Sequence, residues 1–492
     1  MSRLWGSNGI AFGPDGRLYV AQFLAGQISA VDVATGDVEV VVPQGGPVQS
    51  PDDLAFGADG SMYITDLVPG RVWRFRSPDE YTLVSDQVAV PNGIACVGDR
   101  LFVNEMKIDG RLLELFPDGG DPRVLASGLV MGNAMQLGPD GCLYYPHMLT
   151  EQVHRVPLDG GEPELVASDV HEPVAVRFDR AGELMVLSRG AAGIVTRFSA
   201  SGERTVVTSG VMGLDNAAFD DENRMFVSSF ASGGIAELHP DGRTRQVVPQ
   251  GLVGPYGVAV GDSGTVHVAD HYTLVAGDTR DMFVFVHGLA AANGLLHTTS
   301  QYGDVRTYDP ASGSVRMRAT GLAQPTGIAV RADGVLVVAE TGAGRVVTID
   351  ETDAVSVLAE GLAHPVDVAV DEELCYVSDD HAGEVFRLDE GKAVPVASGL
   401  KAPQGLAIRG GELLIVDTGS RSLVAIDLAT GKTRVEAEDL PVGLPPGVTR
   451  TDPALSCHGM PGVPSQFAGL AVGPNGTLHI AANSEGRVLS LP

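Results

Sequence analysis

A unit of about forty residues recurs along almost the whole chain, and nothing else in the sequence restricts its fold as strongly. The typical copy reads Gly–apolar–Ala–apolar, then a Pro-Asp-Gly-type turn, then a run such as Leu-Tyr-Val closed by a polar residue. NGIAFGPDGRLYVAQ (8–22), DDLAFGADGSMYITD (52–66), NAMQLGPDGCLYYPH (133–147) and TGIAVRADGVLVVAE (326–340) are examples. The copies open on Asn8, Asp52, Asn92, Asn133, Val174, Asp215, Tyr256, Asn293, Thr326, Val366, Gln404 and Ala468. Four successive spacings of 41 residues separate Asn92 from Tyr256.

Within a unit, two short apolar runs flank a Gly-containing turn, which is the pattern of a β-hairpin. Two further strand-like runs follow, as in QISAVDVATG and DVEVVVP after the first pair. Four antiparallel strands per forty or so residues describe a propeller blade. The expected fold is therefore all-β, a β-propeller of twelve four-stranded blades. Rings usually hold four to eight blades, so two six-bladed propellers, 1–253 and 254–492, are expected rather than a single wide ring. An insertion at about 441–466, rich in Pro and Gly, interrupts the second half as a lid-like segment. The last unit stops after its third strand, and residues 1–7 are expected to supply the missing edge.

Composition narrows the partners. Lys and Arg number 33 against 62 Asp and Glu, a net charge of −29 whose field disfavours nucleic acid and anionic membrane surfaces. No apolar run is long enough for a membrane helix and the first residues lack an apolar signal region. The four cysteines form neither a disulfide framework nor a CxxC site, so a cytoplasmic setting is expected. GxGxxG after a strand, the P-loop, HExxH and GxSxG are all missing, which disfavours nucleotide, nicotinamide and serine-hydrolase chemistry. A small-molecule substrate is the expected partner.

Blade geometry assigns positions to residues. The opening residue of each unit and the residue after its second strand lie on the same face, the usual ligand face of a propeller. In the first half the opening set holds Asn8, Asp52, Asn92, Asn133 and Asp215, five oxygen donors converging on one axis. That suits a hard divalent cation, Ca²⁺ above all. Asn before Gly, as in Asn92-Gly93, is equally what a tight turn selects, and such side chains also bond local backbone. Glu105 and His147 are the candidate proton carriers, and Arg189 a candidate clamp for a substrate carboxylate. In the second half, Asp270-His271-Tyr272 and Cys457-His458 fall on neighbouring blades of a closed ring, so that His271 and His458 are a second candidate acid–base set beneath the insertion.

The PNGIA segment at 91–95 resembles the regucalcin/gluconolactonase family, six-bladed propellers with a central divalent metal. The resemblance implies metal-dependent opening of lactones or esters, with Asn92, Asn133 and Asp215 as ligands and Asp52 and Asn8 as further ones. This chain departs from that family in having Asn8 where a Glu ligand is expected, and two propellers in place of one. The blade pattern is also similar to NHL-type repeats, many of which only bind. GPYGVAV (254–260) and HPVDVAV (364–370) resemble segments of virginiamycin B lyases. Three functions follow as expectations: a metal-dependent lactone or ester hydrolase; a lyase, isomerase or cyclase with a His-based site in the second propeller or between propellers; and a non-catalytic binding scaffold.

Overall fold

Twelve antiparallel sheets, each made from a consecutive stretch of chain, follow the twelve repeats in the computed structural model. The structure describes residues 4–372, 374–389, 391–444, 456–457 and 460–492. Among these, ten sheets have four strands, while the seventh (Val258–Val260, Val266–Ala276, Thr279–Val286) and twelfth (Leu470–Val472, Leu478–Ala482, Arg487–Leu491) have three. These sheets are the blades, numbered 1 to 12 along the chain.

The strands form where the repeat places β-branched and aromatic residues between turn formers. The second strand of blade 2, Met62–Asp66, is buried throughout because neighbouring blades cover both of its faces, whereas the outer strand Glu80–Ser85 is largely open to solvent. At the hairpin turns Gly16, Gly60 and Gly141 adopt φ of 77°, 79° and 80°, the left-handed region that glycine tolerates without strain. The aspartate before each one accepts the amide two residues on, as Asp59 Oδ1 does from Ser61 N at 3.0 Å.

Apolar clusters fill the wedges between adjacent blades. Ala21, Ile28 and Val42 of blade 1 pack with Leu54, Ile64 and Phe75 of blade 2, and at 1.5–3 kcal/mol for each large side chain this burial, approximately, is what holds blade to blade. Contacts between first strands run through blades 1 to 6 and return from Leu214–Phe219 to Ile10–Phe12. A second closed series runs through blades 7 to 12, returning from Leu470–Val472 to Val258–Val260. Two six-bladed rings result, and the chain divides into two compact units, among the described residues 4–253 with 456–457 and 460–463, and 254–444 with 464–492, so that part of the insertion expected in the second propeller groups with the first unit.

Side chains one residue before the end of the second strand stitch neighbouring blades together. Asn104 Nδ2 donates to the Asn133 carbonyl at 2.6 Å, Ser378 Oγ to Gln404 O at 2.7 Å, and Thr299 Oγ1 to Thr326 O. Ser228 Oγ donates to Asn8 O at 2.6 Å and joins blade 6 to blade 1 by the same device.

Two expectations are corrected. Residues 4–7 do not extend blade 12. Ser7 N donates to Ser229 O at 3.1 Å, Ser7 Oγ to Gly233 O at 2.8 Å, and Leu4 is buried among Ile10, Phe226 and Ile235, so this segment belongs to the first ring. Asn293 does not open blade 8 either. It lies at φ 53° in the hairpin turn between Leu289–Ala292 and Leu295–Ser300, and His287 takes the opening position. The cause is the missing fourth strand of blade 7, which brings the next blade in early. No helix among the described residues is long and apolar enough to cross a membrane.

Candidate functional site in the first ring

The opening residues of blades 1 to 6 are all buried, and five of the six bring an amide or carboxyl: Asn8, Asp52, Asn92, Asn133 and Asp215, with Val174 completing the ring. Asn92 Nδ2 donates to Asp52 Oδ1 at 2.8 Å and to the Met106 sulfur at 3.1 Å. With Asp52 ionised this is the favoured orientation, because a flipped amide would set its oxygen against the carboxylate. Asn92 Oδ1 is then buried with no hydrogen-bond partner. Asn133 uses its Oδ1 locally, accepting from Ala134 N at 2.7 Å.

The carboxyls are crowded. Burial, then the charges of Asp215 and Asp53, push Asp52 well above its ordinary range, with only the Asn92 amide opposing. Asp215 is pushed up to about 7 by burial and by Asp53, against the pull of Arg189 and Arg177. Two buried carboxyls repelling one another, beside an unbonded amide oxygen, form a donor set that fits a hard divalent cation. Such an ion would answer the lone oxygen and neutralise both charges.

The residues that follow each second strand are Phe23, Leu67, Met106, Met148, Arg189 and Phe230, and the Met106 sulfur reaches this floor at Asn92 and Asn133. All but Arg189 are buried and apolar. Arg189 sits with its guanidinium 5.3 Å from the centre of the Phe230 ring and Nη1 3.7 Å from the Met148 sulfur. Oxygen donors thus occupy the opening positions, and apolar residues with one cation the positions after each second strand.

A further layer went unread in the sequence. Asp53, one residue inside the ring, accepts from Asn216 Nδ2 at 3.1 Å and lies 3.9 Å from Arg177 Nη2. Burial raises Asp53 to about 6 despite Arg177. Arg177 is itself buried and donates to the carbonyls of Ala217, Met135 and Val176, each at 2.9 Å. The signal was an Arg at the position where blades 1, 2, 3 and 6 carry Ala11, Ala55, Ala95 and Ala218. Those alanines pack into the apolar clusters between blades, whereas Arg177 reaches the carbonyls of neighbouring first strands and Asp53.

The proposed proton carriers face elsewhere. Glu105 ends its second strand and turns toward its own blade, accepting from Ala89 N at 3.0 Å and from Arg111 through both oxygens, at 2.6 and 3.0 Å. Burial pushes its carboxyl up, but Arg111 and the Ala89 amide outweigh this and hold it below the ordinary range. Asp66, Asp270, Glu340, Asp379 and Asp417 occupy the same position and accept amides of the incoming loop in the same way. Glu105 is therefore a structural latch of the repeat, not a base on the axis. His147 occupies that position in blade 4. Its ring stacks on His154 at 4.2 Å, its Nε2 is buried without a partner, and burial with the neighbouring His154 pushes it down to about 4.

The second ring presents different chemistry. Its opening residues are Tyr256, His287, Thr326, Val366, Gln404 and Ala468, with no carboxylate among them. The C-terminal end of the insertion lies across them. Ser465 O accepts from His287 Nε2 at 2.9 Å, Ser465 N donates to Gln301 Oε1 at 2.7 Å, and Phe467 packs with Tyr256 and Val366. His271 is buried among Tyr256, Tyr272 and Phe285 and is pushed down to about 3 by burial and by His287. His458 lies outside the described residues, so its pairing with His271 has no geometry here.

These features define a tandem β-propeller with an oxygen-donor ring at the axis of its first unit. A family model described as outer membrane protein assembly factor BamB (PQQ_2) matches residues 192–441, just over half of the chain, and the chain belongs to that family. The match runs from blade 5 to blade 11, across both rings, so it reads the repeat and not a site. The regucalcin/gluconolactonase likeness remains a resemblance. No curated protein matches. Among solved structures, a streptogramin B lyase is 18% identical, over 54% of this chain and 90% of that one, with a TM-score of 0.41. XC5397 from Xanthomonas campestris, described as a gluconolactonase, is 15% identical, over 46% and 84%, at 0.41. A nidogen/laminin complex is 21% identical, over 47% and 93%, at 0.42. Identities this low say nothing about which side chains do chemistry.

Proposed function

We propose that the first ring is a divalent-cation-dependent hydrolase site for a small lactone or related ester. The observation that carries the reading is the buried, unbonded Asn92 Oδ1 beside the mutually repelling Asp52 and Asp215 carboxyls. Asp52, Asn92 and Asp215 would hold the ion, with Asn8 and Asn133 completing its oxygen shell. A bound cation would supply Lewis-acid polarisation of the substrate carbonyl. Arg189 orients a carboxylate of the substrate against Phe230, and the apolar wall of Phe23, Leu67, Met106 and Met148 keeps bulk water from the floor. Proton transfer stays with the axial carboxyls, since Glu105 and His147 face their own blades.

Calorimetric titration of the metal-free chain with Ca²⁺, paired with a lactone-hydrolysis panel, tests this. One equivalent should bind, raise the melting temperature of the first ring by mass action, and restore activity removed by EDTA. Asn92→Ala should weaken binding at least tenfold. Melting indifferent to both EDTA and Ca²⁺ would refute the reading.

A further inference from the structure

Blade 10 carries a cluster unlike any other among the described residues. His364 lies just before its first strand, Pro365–Asp371, and Asp380 and His381 just after its second, Leu374–Asp379. One ligand atom from each of the three lies within 4.8 Å of the others. The two imidazoles stack with centroids 4.1 Å apart and planes 10° from parallel, and His364 Nδ1 bonds Asp380 Oδ1 at 2.6 Å.

The two loops bearing these residues are tied by a single carboxylate. Asp379 accepts from Ala363 N at 2.7 Å, His364 N at 3.0 Å and Ala382 N at 2.9 Å, which fixes the backbone on both sides of the cluster. A metal site needs such preorganisation, because ligands held by rigid backbone lose little freedom on binding. His364 and Asp380 are partly covered and His381 is exposed, so an ion held between them would keep positions open to solvent.

We infer that His364, Asp380 and His381 bind a divalent first-row transition ion, Zn²⁺ or a close relative, at the rim of the second ring. The donor chemistry separates this site from the first ring. Two imidazole nitrogens and one carboxylate select Zn²⁺, Ni²⁺, Cu²⁺ or Fe²⁺, whereas an all-oxygen set selects Ca²⁺. Zinc bonds of about 2.0–2.2 Å require the donor atoms to draw together and the stacked rings to turn out of parallel so that both nitrogen lone pairs meet the ion. Imidazole binds a metal only in its neutral form, so affinity for the ion rises with pH. The inference is independent of the cation proposed for the first ring.

The experiment is a calorimetric titration of the metal-free, untagged full chain with Zn²⁺ in excess Ca²⁺. One equivalent of Zn²⁺ is expected to bind, with affinity reduced on the order of 100-fold in His381→Ala and in Asp380→Ala, since even supporting residues of such sites are worth 10- to 100-fold. Asp215→Asn should leave the Zn²⁺ isotherm unchanged. Co²⁺ supplies a second readout: the absorption of a nitrogen-coordinated ion should be present in the parent chain and absent in His381→Ala. His381 is exposed, so equal melting of that variant and its parent checks that the fold is intact. Failure of the parent chain to bind Zn²⁺, or equal affinity in His381→Ala, overturns the inference.

Discussion

In EDTA, the stability that Asp215 lends the first ring should fall as pH rises from 5 to 7. Its buried carboxyl is pushed from an ordinary 3.8 up to about 7. Over that interval the native state holds a proton that the unfolded chain has released, so the contribution is complete below about pH 4 and lost above about 7. Each tenfold gain in proton affinity on folding is worth about 1.4 kcal/mol, which makes the whole effect on the order of 4 kcal/mol and the part between pH 5 and 7 roughly 2 kcal/mol. His147 acts in the opposite sense. Burial pushes it from 6.5 to about 4, so its contribution is lost as pH falls below 6.5, and the raw profile is flattened between pH 5 and 6.5. The difference between the parent chain and Asp215→Asn cancels His147 and reports Asp215 together with its repulsion of Asp52. Both tryptophans, Trp5 and Trp73, lie in the first ring, so urea unfolding followed by selective tryptophan emission reports on that unit alone. Added Ca²⁺ should take the place of the proton and flatten the difference. A difference between parent and variant that does not change from pH 5 to 7 in EDTA would refute the reasoning.

Three further outcomes follow from the same geometry. Glu105→Gln should lower stability by about 1–3 kcal/mol through the weakened Arg111 and Ala89 contacts and leave kcat near that of the parent, whereas a general base would cost 10²–10⁴-fold in kcat; steady-state kinetics on the active lactone separates the two. Arg189→Ala should raise KM for carboxylate-bearing substrates with little change in kcat, and Arg189→Lys should fail to restore it, since one ammonium cannot reproduce the planar fork; parallel assays on a substrate lacking the carboxylate are the control. Arg177→Met should cost about 3–5 kcal/mol by leaving Asp53 buried without its cation, and Arg177→Met with Asp53→Asn should recover a large part of it, measured by urea unfolding.

The architecture was legible because a propeller repeats its physics. Every blade needs a hairpin turn, an apolar inner pair of strands and a polar terminus, so the spacing counted blades and the closing arithmetic counted rings. Legibility failed where one blade departs from the repeat. Blade 7 has no fourth strand, and aligning Asn293-Gly294 with other Asn-Gly pairs mistook a hairpin turn for a blade opening. The ring of Asn8, Asp52, Asn92, Asn133 and Asp215 was readable because opening residues converge in any propeller. The direction of Glu105 and His147 was not readable. A residue at the end of a strand can face the axis or its own blade, and only the amides of the incoming loop, with Arg111 and His154, decide between them. Arg177 was visible as an Arg among alanines, but its meaning depends on Asp53 and the carbonyls of Ala217 and Met135, which come from other blades.

The Ser228–Asn8 bond has a consequence for how such a chain can be rearranged. Each sheet of the first ring is cut from one uninterrupted stretch, and the seam between blades 6 and 1 uses the same stitch as the seam after blade 3. Among the described residues no strand is shared across the closure, where residues 4–7 only add bonds to Ser229 and Gly233. A circular permutant of residues 4–253 that opens between blades 3 and 4 and joins the old ends through a flexible linker should close into the same ring. The order of blades in the gene would then be one of several cuts through a single closed figure, and the insertion or loss of a whole blade the natural unit of change.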